Sequence, residues 1–219
     1  MIPEDLRRER MGPPRFDPGI AIPIGDETRL AGIRWVRLSK AAYPNQFYAN
    51  RKSRLTPASG RFPCVYVAAT EGTAVAEVWG DTWWYQKQVL KKEIHAIPAK
   101  TAEEFAYLVM RPPPSLTLCD FTDEATRLAI GLDGAVLNAA DLTIPQAWAE
   151  AVATHKNGYD GIVYRSRHTD HPCAVLWARP GVRALDREIA FAAGGPFRDS
   201  PAAFETAGKI GIRLSFPFL

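Results

Sequence analysis

Glu77 is the only charged residue in the run Thr73-Ala74-Val75-Ala76-Glu77-Val78-Trp79. A carboxylate among small and apolar residues is costly unless it has partners or a task. The plainer alternative is a glutamate on a helix surface. Tyr66 stands just before this run, where alternation puts Cys64, Tyr66 and Ala68 on one strand face. Its ring either fills core or faces a ligand. Arg37 shares a strand face with Trp35 and Ser39, while Arg51 and Arg54 sit in the polar stretch Asn50-Arg51-Lys52-Ser53-Arg54. Arginine's planar fork matches phosphate oxygens, although solvated loop arginines are commoner. Ser166 ends the run Gly161–Ser166, on the face of Ile162 and Tyr164, where a turn serine is the ordinary reading.

Other chemistries find less support. No GxGxxG follows a strand and no GxxxxGK[ST] occurs, so the common nucleotide-binding folds are not indicated. His168-x-x-His171-x-Cys173 resembles a ligand cluster but lacks a fourth partner at a sensible spacing, and no metal is expected. Neither Cys119 nor Cys173 has a base beside it in sequence that would mark a nucleophile.

The elements that must position these residues follow from period and punctuation. Strands are predicted at Ile33–Leu38, Cys64–Ala69, Lys92–Ala99, Glu104–Met110, Ser115–Asp120, Gly161–Ser166 and Cys173–Ala178. Residues 40–63 read as a long loop, of a length that is usually functional within a compact domain. Thr70 can cap a helix through Thr73–Trp79; further helices are predicted at Thr122–Ile130 and Pro145–His155, the last ended by Asn157-Gly158. Arg111-Pro112-Pro113-Pro114 breaks the chain. Most strands are not separated by helices, so an α+β fold with a mixed sheet and flanking helices is expected rather than a doubly wound sheet.

The 219 residues, 47% hydrophobic and 23% charged, suit one globular domain with terminal extensions. A net charge of +3 fits an anionic small molecule and is too weak and evenly spread to argue for nucleic acid. Three cysteines without a CxxC pair argue against a disulfide framework and for a reducing cytoplasm. The Pro- and Arg-rich start lacks the apolar stretch of a signal peptide, and no run approaches a membrane helix. Residues 1–30 read as an extension that wraps the domain or joins a homo-oligomer contact.

Three segments together resemble the RES domain, named for an Arg, a Glu and a Ser. Ser53-Arg54-Leu55-Thr56-Pro57 is similar to the family's Gly-Arg-Trp-Asn-Pro motif and places its arginine at Arg54. Val65-Tyr66-Val67-Ala68-Ala69 through Ala76-Glu77 resembles its tyrosine strand and glutamate helix. Gln146-Ala147-Trp148-Ala149, then Gly158-Tyr159-Asp160-Gly161-Ile162-Val163-Tyr164-Arg165-Ser166, resembles its closing helix and serine strand. Arg37 matches a further arginine near the start of many members. The family's glycines are Lys52 and Ser53 here, and its tryptophan is Leu55, which leaves Arg51 as an alternative to Arg54. The likeness spans residues 33–180, giving an N-terminal extension at 1–30, a RES-like catalytic domain at 31–180 and a C-terminal segment at 181–219 that packs on it.

The resemblance implies an ADP-ribosyltransferase-like fold that binds NAD in a cleft, as substrate rather than cofactor. Members of this family are toxins of bacterial toxin–antitoxin pairs. They split NAD at the nicotinamide–ribose bond, with phosphate, water or a protein as acceptor. An Xre-like antitoxin blocks the cleft, and nucleic acid is met only through that partner. The resemblance makes Glu77, Arg54 and Ser166 catalytic and Arg37, Tyr66 and Arg51 substrate-binding. The residue types suit this chemistry: arginine for the diphosphate, an aromatic face for the cationic nicotinamide, a carboxylate for the growing oxocarbenium charge. Two rival readings are a non-catalytic RES-like module that binds a nucleotide or protein and, more remotely, a nucleic-acid binder using Arg51–Arg61.

Overall fold

Short apolar runs rich in β-branched residues become the strands of a seven-stranded sheet. The computed structural model describes residues 33–49, 53–88, 95–111, 115–201, 205 and 212–215. The sheet comprises β1 (Val36–Lys40), β2 (Cys64–Ala68), β4 (Phe105–Arg111), β5 (Leu118–Asp120), β6 (Gly161–Arg165), β7 (Pro172–Trp177) and β8 (Ala190–Pro196). Their spatial order is β5-β6-β7-β2-β1-β4-β8, and every pair is antiparallel except β5–β6. A separate parallel pair joins β3 (His95–Pro98) to β9 (Ile212–Ser215). Helices α1 (Glu71–Gln88), α2 (Ala99–Glu103), α3 (Glu124–Ile130), α4 (Thr143–Ala153) and α5 (Leu185–Glu188) accompany the strands. The fold is α+β with a mixed sheet, as the strand-rich order implied.

Both sheet faces are covered. Val36, Leu38, Cys64 and Ala68 point to the side of α1 and α4, where they pack with Val75 and Trp148. The opposite residues, Trp35, Val65, Val67 and Leu176, meet Leu185 of α5. This period-two division fixes the register, because a slip of one residue would exchange the two faces.

Several boundaries differ from those expected from sequence, each for a local reason. The first strand starts at Val36 rather than Ile33, because its ladder with β4 runs from Val36↔Val109 to Lys40↔Phe105. The helix expected over Thr73–Trp79 runs from Glu71 to Gln88, and Thr70 does cap it: the Thr73 amide donates to Thr70 Oγ1 at 3.0 Å. Helix α3 begins at Glu124, not Thr122, since Asp123 accepts from the Thr126 amide at 2.7 Å and so is the cap. Pro145 lies inside the first turn of α4, where its missing amide had no intrahelical partner to lose. Gly158 takes a φ of 68° as the chain leaves that helix's end, a backbone that suits glycine. The strand expected over Lys92–Ala99 survives as β3, with residues 92–94 outside the described part and Ala99 opening α2. Beyond Pro180, β8 completes one sheet edge against β4, with a register shift at Tyr107/Leu108.

The sheet parts at its centre. Main-chain pairing between β1 and β2 is confined to Val36↔Ala68, and Tyr48 bridges Cys64 instead. The central strands therefore diverge and open a cleft between them.

Candidate active site

Helix α1 presents Glu77 toward β6. Alternation on β6 brings Tyr164 and Ser166 to the same face, and both meet this carboxylate. Ser166 Oγ donates to Glu77 Oε1 at 2.7 Å, and the Tyr164 hydroxyl donates to Oε2 at 2.9 Å. Burial, reinforced by the neighbouring Glu77 charge, holds the Tyr164 hydroxyl well above the usual phenol range, so it stays a donor. Among the described residues Glu77 forms no ion pair, and the hydrogen bonds it accepts come from these two neutral hydroxyls. Ser166 is 2% exposed and is absent from the lining of the cleft, which it meets through its hydrogen bond to Glu77.

Tyr66, half-buried on β2, lines the cleft beside Glu77. Its hydroxyl lies 3.1 Å from Thr56 Oγ1, and burial raises its pKa above the ordinary value. The cleft has two adjoining hollows that share Ser53, Tyr66, Glu77, Val78 and Tyr164. One, of about 170 Å³, occupies the gap between β1 and β2 and is lined by Arg37 and Tyr48. The other, of about 330 Å³, is lined by Arg54, Arg167 and His168.

The two arginines differ in how they are held. Arg37 is only 8% exposed; its Nη1 donates to the Pro44 carbonyl at 3.2 Å, and its guanidinium lies 6.0 Å from the Tyr48 ring centre and 5.7 Å from that of Phe191. Burial lowers its pKa to about 10, with Tyr48 opposing. Arg54 is half-buried and donates through Nη1 to the Ala139 carbonyl. Its loop is anchored by Gln146 of α4, whose Nε2 donates to the Ser53 carbonyl at 3.0 Å. Burial lowers the Arg54 pKa too, and Glu77 opposes that shift. Among the described residues no carboxylate forms an ion pair with Arg37 or Arg54. Guanidinium groups withdrawn from water and without an ion-pair partner favour an anionic ligand.

Of the residues singled out in the sequence, Arg54, Tyr66 and Glu77 share one hollow, Arg37 lines the adjoining one, and Ser166 supports Glu77. Arg51 lies outside the described residues. Sequence reasoning missed Thr56, Asp81, Tyr164, Arg167 and His168 as parts of the site. Two signals could have found some of them. Tyr164 shares the strand face of Ser166, and Arg165-Ser166-Arg167-His168 concentrates cations directly after the strand. Among the described residues no group of three or more His, Cys, Asp or Glu is placed to hold a metal ion. Cys64, Cys119 and Cys173 are free and buried, and burial raises the pKa of each thiol, the opposite of what a nucleophile needs. No helix among the described residues is long and apolar enough to cross a membrane.

Comparison with known proteins bears on the fold and the family. No curated protein matches the sequence. A crystal structure of the M. tuberculosis MbcT–MbcA toxin–antitoxin complex contains a chain that superposes with a TM-score of 0.51 at 18% identity, covering 76% of this chain and 90% of that one. That likeness bears on the fold, and it matches the mixed sheet with flanking helices. The sequence profile of the RES domain matches residues 27–198, a span that holds every element of the cleft, and this chain belongs to the RES domain family.

Proposed function

We propose that this chain cleaves NAD at its nicotinamide–ribose bond. The observation that carries the proposal is the pairing of a half-buried carboxylate, hydrogen-bonded by two neutral hydroxyls, with arginines of the same cleft that form no ion pair among the described residues. NAD combines a dianionic diphosphate with a cationic pyridinium ring, and the cleft offers a complement to each. Arg37 and Arg54 hold the diphosphate. Tyr66 offers its ring face to the nicotinamide. As the bond from ribose C1′ to the ring nitrogen breaks, its electron pair neutralises the ring and positive charge grows on the ribose. Glu77 stabilises that charge and accepts from a ribose hydroxyl. Tyr164 and Ser166 keep the carboxylate oriented. The leaving group carries its own activation, so the step calls for no metal. Phosphate, water or a protein side chain then takes the ribosyl carbon.

The test is incubation of the purified chain with NAD, with and without phosphate, and identification of products by mass spectrometry. Free nicotinamide with ADP-ribose, its 1″-phosphate or an ADP-ribosylated protein is the expected result. Unchanged NAD with retained binding would leave a nucleotide-binding module instead. The solved relative was captured as a toxin–antitoxin complex, and this supports a toxin role with a protein partner, an Xre-like antitoxin, that covers the cleft. Expression alone should then arrest growth as cellular NAD falls, and co-expression of the neighbouring gene should relieve the arrest.

A further inference from the structure

The turn after β6 lies along one stripe of α1. Thr73, Glu77 and Asp81 recur every four residues on that helix and so face the same way. Each meets the turn. Thr73 Oγ1 is 3.0 Å from Thr169 Oγ1, Glu77 accepts from Ser166, and Asp81 pairs with Arg167 and lies 3.4 Å from His168 Nε2. The Asp81 carboxylate is largely exposed, so its ion pairs add little.

His168 differs from the others. Its side chain is only 13% exposed, and its imidazole abuts the helix backbone at Gly80. A Cβ placed on Gly80 would fall 2.6 Å from His168 Nε2 and Cε1, closer than real contacts allow, so glycine is what lets the ring seat. The His168 amide also donates to Ser166 Oγ at 3.2 Å. One residue thus touches both the helix that carries Glu77 and the hydroxyl that holds Glu77.

We propose that His168, seated on Gly80, is a positioning residue that fixes the Ser166 hydroxyl on the Glu77 carboxylate. The inference rests on the reading of Glu77 as the reactive carboxylate. With the ring gone, the turn lifts from α1, Ser166 leaves Glu77, and the carboxylate loses its fixed orientation. Arg37 and Arg54 stand on other elements, so their hold on the diphosphate is kept, although Arg167 and His168 line the same hollow as Arg54.

The experiment measures kcat and KM for NAD, and hydrogen–deuterium exchange over residues 166–171, in the wild type, His168→Ala, Gly80→Ala and the double variant. Gly80→Ala raises helix propensity, so it tests the seat without unfolding α1. Each single variant should lose about tenfold or more in kcat, as misplaced catalytic groups do. KM should move by less than about threefold, and exchange across the turn should rise. The added methyl fills the space the ring vacates, so the double variant should be no worse than His168→Ala. Wild-type kcat and exchange in either single variant, or losses that multiply in the double, would overturn the proposal. A wild type that consumes no NAD sinks the proposed reaction instead. Exchange alone then decides the latch: raised in both singles and no further in the double supports it, and unchanged exchange overturns it.

Discussion

Glu77 is half-buried, accepts hydrogen bonds from two neutral hydroxyls and forms no ion pair among the described residues, so its carboxylate is available to the cleft. An interaction of that kind acts mainly where positive charge develops. Glu77→Gln keeps the shape and removes the charge; turnover should fall on the order of a hundredfold or more while NAD binding changes little. Arg54→Ala should behave differently. Its anionic ligand is held in both ground and transition states, so KM rises with a smaller change in kcat. Steady-state NAD consumption for both variants, with thermal melts to confirm folding, makes the comparison. A folded Glu77→Gln protein with near-normal turnover would remove Glu77 from the reaction.

At the scale of elements, β6 and α1 together set the site. β6 packs tightly on β7 at Gly161, where a Cβ would fall 2.2 Å from the Val175 carbonyl oxygen. Gly161→Ala must push the two strands apart and should cost about 3 kcal/mol, the upper part of the overpacking range. Because β6 carries Tyr164 and Ser166, activity should fall with it. Chemical denaturation reads the stability loss, and an unshifted midpoint would contradict the close approach. The start of α1 is set by Thr70, whose hydroxyl accepts from the Thr73 amide. Thr70→Ala should cost about 1 kcal/mol, measured in the same way. Turnover per folded molecule should be retained, since the cap is remote from the carboxylate along the helix.

For the whole molecule, pH acts through the half-buried histidines His168 and His155. Burial lowers the pKa of His168, with Glu77 opposing and Arg167 and Arg54 adding to the shift; burial also lowers that of His155, assisted by Lys156. Both are therefore favoured neutral in the fold. The stability this gives is complete above the unfolded histidine value of about 6.5 and is lost as pH falls through the lowered folded values. Melting temperature should drop between about pH 7.5 and about pH 5.5, and His168→Gln should reduce that drop. An unchanged pH slope in the variant would show that His168 titrates alike in the folded and unfolded chain and would overturn its part in this dependence. Asp160, 1% exposed between Arg179 and Arg183, ties the segment after β7 to the loop before β6 and keeps the sheet's far edge in place.

Composition and period determined much of this by themselves. Alternation placed Tyr66 on one face of β2 and Ser166 with Tyr164 on one face of β6, because strand side chains have a strict two-residue period. A lone carboxylate in a small-residue helix marked Glu77, because such a charge is costly without partners. The tertiary structure alone decided the rest. Which hydroxyls would hold Glu77 depended on packing α1 against a strand that follows it by more than eighty positions. The gap between β1 and β2, which makes the cleft, is a matter of pairing between distant strands and leaves no local signal. The edge strand β8, built from small residues, has too little apolar contrast to show a period; its ladder with β4 defines it. Gly80 is an ordinary helical glycine by its neighbours in sequence; only the fold seats the His168 ring on it, since no pattern within α1 encodes what arrives from outside.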